Sequence, residues 1–71
     1  MAISDLVRMV NQISDNFVYE SPDRAAIDVA THLRSYWTPQ MREEIIAYER
    51  ANVSDLSEVT RLAIRHLASI D

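Results

Sequence analysis

The chain has 71 residues, a net charge of −4, a hydrophobic fraction of 48%, and neither Gly nor Cys. That length allows one domain, residues 1–71, which buries roughly 60% of its unfolded surface and is marginal unless a partner helps. The composition excludes disorder, disulfides, thiolate chemistry and Gly-rich phosphate loops. Negative charge opposes a broad nucleic-acid surface, and no apolar run approaches the ~20 residues of a membrane span.

Helical spacing of apolar residues accounts for nearly the whole chain. Ser4 reads as the cap of a first helix, with Asp5 at its positive end. Leu6, Val10, Ile13 and Phe17 then recur on one face, with Met9 beside them, and the pattern fades near Tyr19-Glu20. Ser21-Pro22-Asp23 opens the second helix with a cap, a Pro at the first helical position and an acid. Its stripe is Ala26, Ala30, Leu33 and Trp37, widened by Ile27 and Val29. Thr38-Pro39 ends it, because the residue before Pro is pushed out of the helical region. The same pair caps and starts a third helix, with Met41, Ile45 and Tyr48 on one face and Ile46 close by. After a break at Asn52 to Ser54, Asp55 and Glu58 resemble a capping box, with Ser54 as the alternative cap. Leu56, Val59, Leu62, Ala63, Leu67 and Ile70 follow. No stretch alternates strictly, and tight hairpins lack their Gly. The expectation is an all-α fold, a small compact antiparallel bundle of about four short helices. Several helices are apolar over more than one stripe, and the surplus can face a partner.

The densest concentration of binding chemistry is His32 to Arg42. It holds the single Trp, two Arg, a His and a Tyr around a helix-breaking Pro. All seven basic residues of the chain are Arg. Arg makes bidentate contacts and stacks on rings, and Arg and Trp often carry binding energy at interfaces. Trp37 has two readings, a core anchor closing its stripe or a contact between Arg34 and Arg42. The phase of the stripe favours the core, which leaves Tyr36 and the two Arg as the exposed part.

Sites of other kinds lack their residues. His32 and His66 lie on different predicted helices, and no HExxH or ExxH spacing exists. Ser69 follows His66 by one helical turn, which is ordinary at a helix end. Ser54-Asp55-Leu56 inverts the Asp-Ser-Leu of an acyl carrier protein and opens the wrong helix. Intrinsic catalysis, metal binding and a cofactor site are therefore not expected in this chain.

Two stretches resemble a known family. Leu6-Val7-Arg8-Met9-Val10-Asn11-Gln12-Ile13 is similar to the opening of the delta subunit of NAD-dependent, molybdenum-containing formate dehydrogenase. Ala30-Thr31-His32-Leu33-Arg34-Ser35-Tyr36-Trp37-Thr38-Pro39-Gln40-Met41-Arg42 matches the family pattern His-aliphatic-Arg-x-aromatic-Trp-x-Pro-x-Met-Arg at every fixed position, and Pro22-Asp23-Arg24 between them also looks familiar. One departure is the turn before the last helix, where the family's Gly-rich sequence is replaced by Ala51-Asn52-Val53-Ser54.

The resemblance implies a non-catalytic accessory subunit of a soluble cytoplasmic complex that oxidises formate and reduces NAD. Larger subunits would carry the molybdenum pterin, the iron–sulfur clusters and the flavin (FMN). This chain would stabilise the catalytic subunit or help it mature. A start without a basic, apolar leader agrees with a cytoplasmic location. Arg34, Tyr36, Trp37 and Arg42 are the expected docking residues, with Asn11 and Gln12 second; removal of both Arg is expected to weaken docking and leave the domain folded. The alternative function is a free-standing helical adaptor, with its surplus apolar surface paired in a homodimer.

Overall fold

A computed structural model describes residues 1–70. They form four helices, α1 (Ile3–Asp15), α2 (Pro22–Tyr36), α3 (Pro39–Arg50) and α4 (Glu58–Ile70), and no strand occurs among them. The all-α bundle expected from the sequence is what the chain adopts.

The two Pro-led junctions form as their residues dictate. Ser21 Oγ accepts from the Arg24 amide at 3.4 Å, and Thr38 Oγ1 accepts from the Met41 amide at 3.2 Å. Pro22 and Pro39 occupy first-turn positions whose missing N–H costs nothing. Trp37 and Thr38 are extended, at ψ 146° and 159°, so α2 stops and α3 leaves in a new direction.

The other boundaries differ from the sequence reading. Ser4 is not the cap of α1; the helix starts at Ile3 after an extended Ala2 that gives no side-chain bond. Its α-helical part ends at Asp15. Beyond it the chain tightens into successive turns, with Phe17 N–H donating to Ser14 O at 3.0 Å and Glu20 N–H to Phe17 O at 3.0 Å. Phe17 still packs on the core, which is why the apolar spacing outlasts the helix. Neither Asp55 nor Ser54 caps α4. Ser57 does, accepting the Thr60 amide on Oγ at 3.2 Å and the Arg61 amide on its carbonyl at 2.9 Å. Leu56 therefore lies in the connection, but it is buried and plugs the core from there.

The Gly-free connection after α3 is made by Asn52, at φ 62°. That left-handed geometry favours Gly, and Asn is among the few other residues that visit it routinely. Asn52 N–H donates to Glu49 O at 3.1 Å and closes the end of α3.

Small residues let α2 and α4 approach closely. Ala25, Ala26, Val29, Ala30 and Leu33 on α2 are buried, as are Ala63, Ile64 and Leu67 on α4. Leu6 and Val10 of α1, Ile45 of α3 and Trp37 complete the core. Truncating a fully buried Leu such as Leu33 to Ala is worth about 2–5 kcal/mol. The buried face of α4 runs through Thr60, Ile64 and Leu67, while Ile70 and Ile27 are substantially exposed. The stripe Ala26, Ala30, Leu33 and Trp37 is thus buried as its spacing predicts, with Ile27 left outside it, whereas that of α4 is rotated by part of a turn toward Thr60 and Ile64. Three polar side chains enter the core: Ser14, Glu49 and Thr60. Glu49 accepts from Arg65 Nε at 3.1 Å, tying α3 to α4.

Candidate functional site

The α2–α3 corner is organised by Trp37 and the two arginines that flank it. Trp37 is 5% exposed, so its indole is a core anchor rather than a projecting contact. Arg42 Nη1 donates to Trp37 O at 2.9 Å and to Arg34 O at 3.1 Å. These carbonyls belong to the C-terminal end of α2, where intrahelical donors run out and the dipole favours a cation. Arg34 Nη1 in turn donates to Ile70 O at the end of α4, at 2.8 Å. The guanidinium of α3 thus caps α2, and that of α2 caps α4. Both arginines were expected to serve docking without cost to the fold. The geometry gives them an internal task as well, so removing them loosens the corner itself.

Asn11 also works inward. Its Nδ2 donates to Asp55 O at 3.0 Å, and its Oδ1 accepts from the Ser57 amide at 3.3 Å and from Thr60 Oγ1 at 2.9 Å. One side chain on α1 thereby holds the α3–α4 connection and the first turn of α4. The bond continues inward: Ser57 Oγ donates to Thr60 Oγ1 at 2.8 Å, the Ser14 and Thr60 hydroxyls meet at 2.6 Å, and Ser14 Oγ reaches Val10 O at 2.9 Å. Three hydroxyl protons serve four contacts, so the Thr60 proton can turn either to Asn11 or to Ser14.

The remaining sequence candidates, Tyr36 and Gln12, meet at an open groove. Its α1 wall is Met9, Gln12, Ile13 and Asn16, the i, i+3, i+4, i+7 row of one helical face. Its other wall is His32 and Tyr36 of α2, Trp37 at the corner and Met41 of α3. The groove encloses about 520 Å³. Tyr36 is 76% exposed, yet its ring rests against His32 with centroids 4.7 Å apart. His32 and Met41 belong to the contact segment His32 to Arg42 read from the sequence, whereas the sequence does not single out Met9, Ile13 and Asn16 of the α1 wall as contact residues. Met9 and Ile13 carry the apolar spacing of α1, and the polar Asn16 carries no signal in the sequence.

Titrating groups with a clear perturbation lie elsewhere. Glu20 has its carboxyl raised above the usual 4.5, first by a hydrogen bond with Asp28, then by burial and the Asp28 charge, with Arg24 opposing. Arg24 Nε stands 4.0 Å from Glu20 and 3.9 Å from Asp28. The Tyr48 phenol donates to Asp55 at 2.7 Å, and that bond holds its pKa above 10.0. Among the described residues, no three His, Cys, Asp or Glu side chains converge as a metal site would need. Ser69 Oγ donates to His66 O at 2.7 Å, the carbonyl of its own turn. Among the described residues, no helix is long and apolar enough to cross a membrane.

The family model for the NADH-dependent formate dehydrogenase delta subunit, FdsD, matches residues 5–64. The chain belongs to that family. No curated protein and no solved structure matches it. The delta-subunit match runs from the first turn of α1 into α4, so it contains both Pro-led junctions, the arginine-capped corner and every residue that lines the groove. The family name also fixes the broad context, association with a formate dehydrogenase.

Proposed function

We propose that this chain is a non-catalytic subunit that docks on the catalytic subunit of a cytoplasmic, NAD-reducing formate dehydrogenase and stabilises it or assists its maturation. The observation that carries this reading is the family match across residues 5–64. The molybdenum pterin, iron–sulfur clusters and FMN would reside in the larger subunits. A rigid corner supports a docking role, since Pro39, the buried Trp37 and two capping arginines hold the surface next to the groove in one shape. Rigid surfaces bind with less ordering cost. Of the six residues expected to dock, Tyr36 and Gln12 present themselves to a partner. Trp37, Arg34, Arg42 and Asn11 hold the surface that does so.

The test is to produce the larger subunits with and without this chain and to follow formate-dependent NAD reduction during incubation at raised temperature. The proposal expects faster inactivation, or a lower fraction of active enzyme, without the chain, and recovery on co-production. Equal activity and equal half-life in both preparations would remove the stabilising and maturing roles.

A further inference from the structure

Resting on the docking role just proposed, we propose that the groove between α1 and the α2–α3 corner seats one amphipathic helix of a larger formate dehydrogenase subunit, inserted by uncharged apolar side chains. Three features of the groove decide the chemistry of its occupant.

The first is charge. Among the described residues, no arginine, aspartate or glutamate lines the groove. Its apolar lining is Met9, Ile13, Trp37 and Met41, and its polar groups are two amides, an imidazole and the Tyr36 phenol. A charged side chain entering it would lose water and find no opposite charge. Charge complementarity therefore calls for an apolar ridge.

The second is shape. One wall is a single helical row and the other is a helix end, so the walls are two cylinders with a trough between them. A third helix fills such a trough through its own i, i+3, i+4 and i+7 side chains. An added strand has no counterpart here, since the described residues contain no sheet edge. A small ligand suits the site less well. Such sites enclose most of the ligand surface, whereas Tyr36 leaves one side of this groove open to water.

The third is preparation for contact. The Tyr36 ring is exposed but braced by His32, so a partner that covers it orders little that is not already ordered. Aromatic anchors of this kind dominate interface energies. Two of the chain's three Met lie in the groove, and thioether side chains adapt to the shape of an inserted ridge.

The chain offers a matched control. Tyr19 is 80% exposed, on the turns that follow α1 and off the groove. The tagged full-length chain would be co-produced with the larger subunits as wild type, Tyr36→Glu and Tyr19→Glu, and the co-purified dehydrogenase quantified. Both substitutions sit on exposed side chains, so melting temperatures should match the wild type. The inference predicts about a tenfold or greater loss of retained partner for Tyr36→Glu and little change for Tyr19→Glu. A photo-crosslinking residue at Gln12 of the assembled complex should label a helical, apolar segment of a larger subunit. Equal retention by both variants, loss confined to Tyr19→Glu, or a crosslink to a second copy of this chain would each overturn the groove assignment while leaving the subunit role intact. A wild-type chain that retains no dehydrogenase subunit would overturn the subunit role, and the groove assignment with it.

Discussion

Replacing Asn11 by Ala separates an internal clamp from a docking residue. The change removes the donor to Asp55 O and the acceptor for the Ser57 amide and Thr60 Oγ1. The three losses are unequal. Asp55 and Ser57 are exposed residues, so water replaces the amide at both. Thr60 is fully buried, but its proton can turn to Ser14 Oγ, 2.6 Å away. Three net hydrogen bonds at about 0.5–1.5 kcal/mol each set the upper bound, and resolvation of two of them brings the expected cost to about 1–2 kcal/mol. For a domain of this size that lowers the melting temperature by roughly 5–15 °C. Thermal circular dichroism on the isolated chain gives the shift, and amide exchange of residues 53–57 should accelerate more than that of α2. A variant that melts like the wild type but fails to co-purify with the dehydrogenase would refute the clamp and return Asn11 to the docking surface.

Other perturbations test separate parts of the structure. Arg42→Ala strips the donor from Trp37 O and Arg34 O and should cost the isolated chain about 1–3 kcal/mol, read by denaturant unfolding; an unchanged midpoint would contradict the capping role. Arg65→Ala leaves the 6%-exposed Glu49 without its guanidinium and should cost about 1–2 kcal/mol, less than a fully buried pair because Arg65 itself is largely exposed. Glu20 is held above its ordinary pKa, so its protonated form favours the fold. That contribution is full below pH 4.5 and is lost as pH rises through the folded value. Glu20→Gln, which keeps a donor toward Asp28 and does not titrate, should melt at or above the wild type at pH 7 and lose that advantage below pH 4.5. A variant clearly less stable at pH 7 would mean that the contacts with Arg24 dominate instead.

Local chemistry made some of this structure legible in the sequence. Ser21-Pro22 and Thr38-Pro39 combine a cap, a fixed φ and a restricted preceding residue within three positions, so both junctions could be read directly. The start of α4 could not. Asp55-Glu58 and Ser57-Thr60 are both acceptable local caps, and the choice is made by Asn11, 46 residues before Ser57. The end of α1 was misplaced because apolar periodicity continues through Phe17 while the backbone has already tightened into turns. The clustering of Arg34 and Arg42 with aromatics at the Pro39 junction marks them as contact residues but does not show what they bond within the chain. Their targets are carbonyls at helix ends, and Arg34 reaches one 36 residues away. The groove depends on the angle at which α1 meets α2, which apolar spacing on either helix does not encode. Spacing places Ile13 and Met41 on their apolar faces with Met9 beside one of them, and does not show that the same side chains border a groove.

The central claim is that this delta-subunit family member is a working part of a formate dehydrogenase. Affinity capture of the tagged chain from its native cells, with mass spectrometry and a formate-dependent NAD reduction assay on the eluate, tests it most directly. The account predicts large dehydrogenase subunits recovered in fixed proportion to the chain, together with activity. Recovery of the chain alone, as a self-paired dimer, or with unrelated proteins and no formate oxidation, would contradict it.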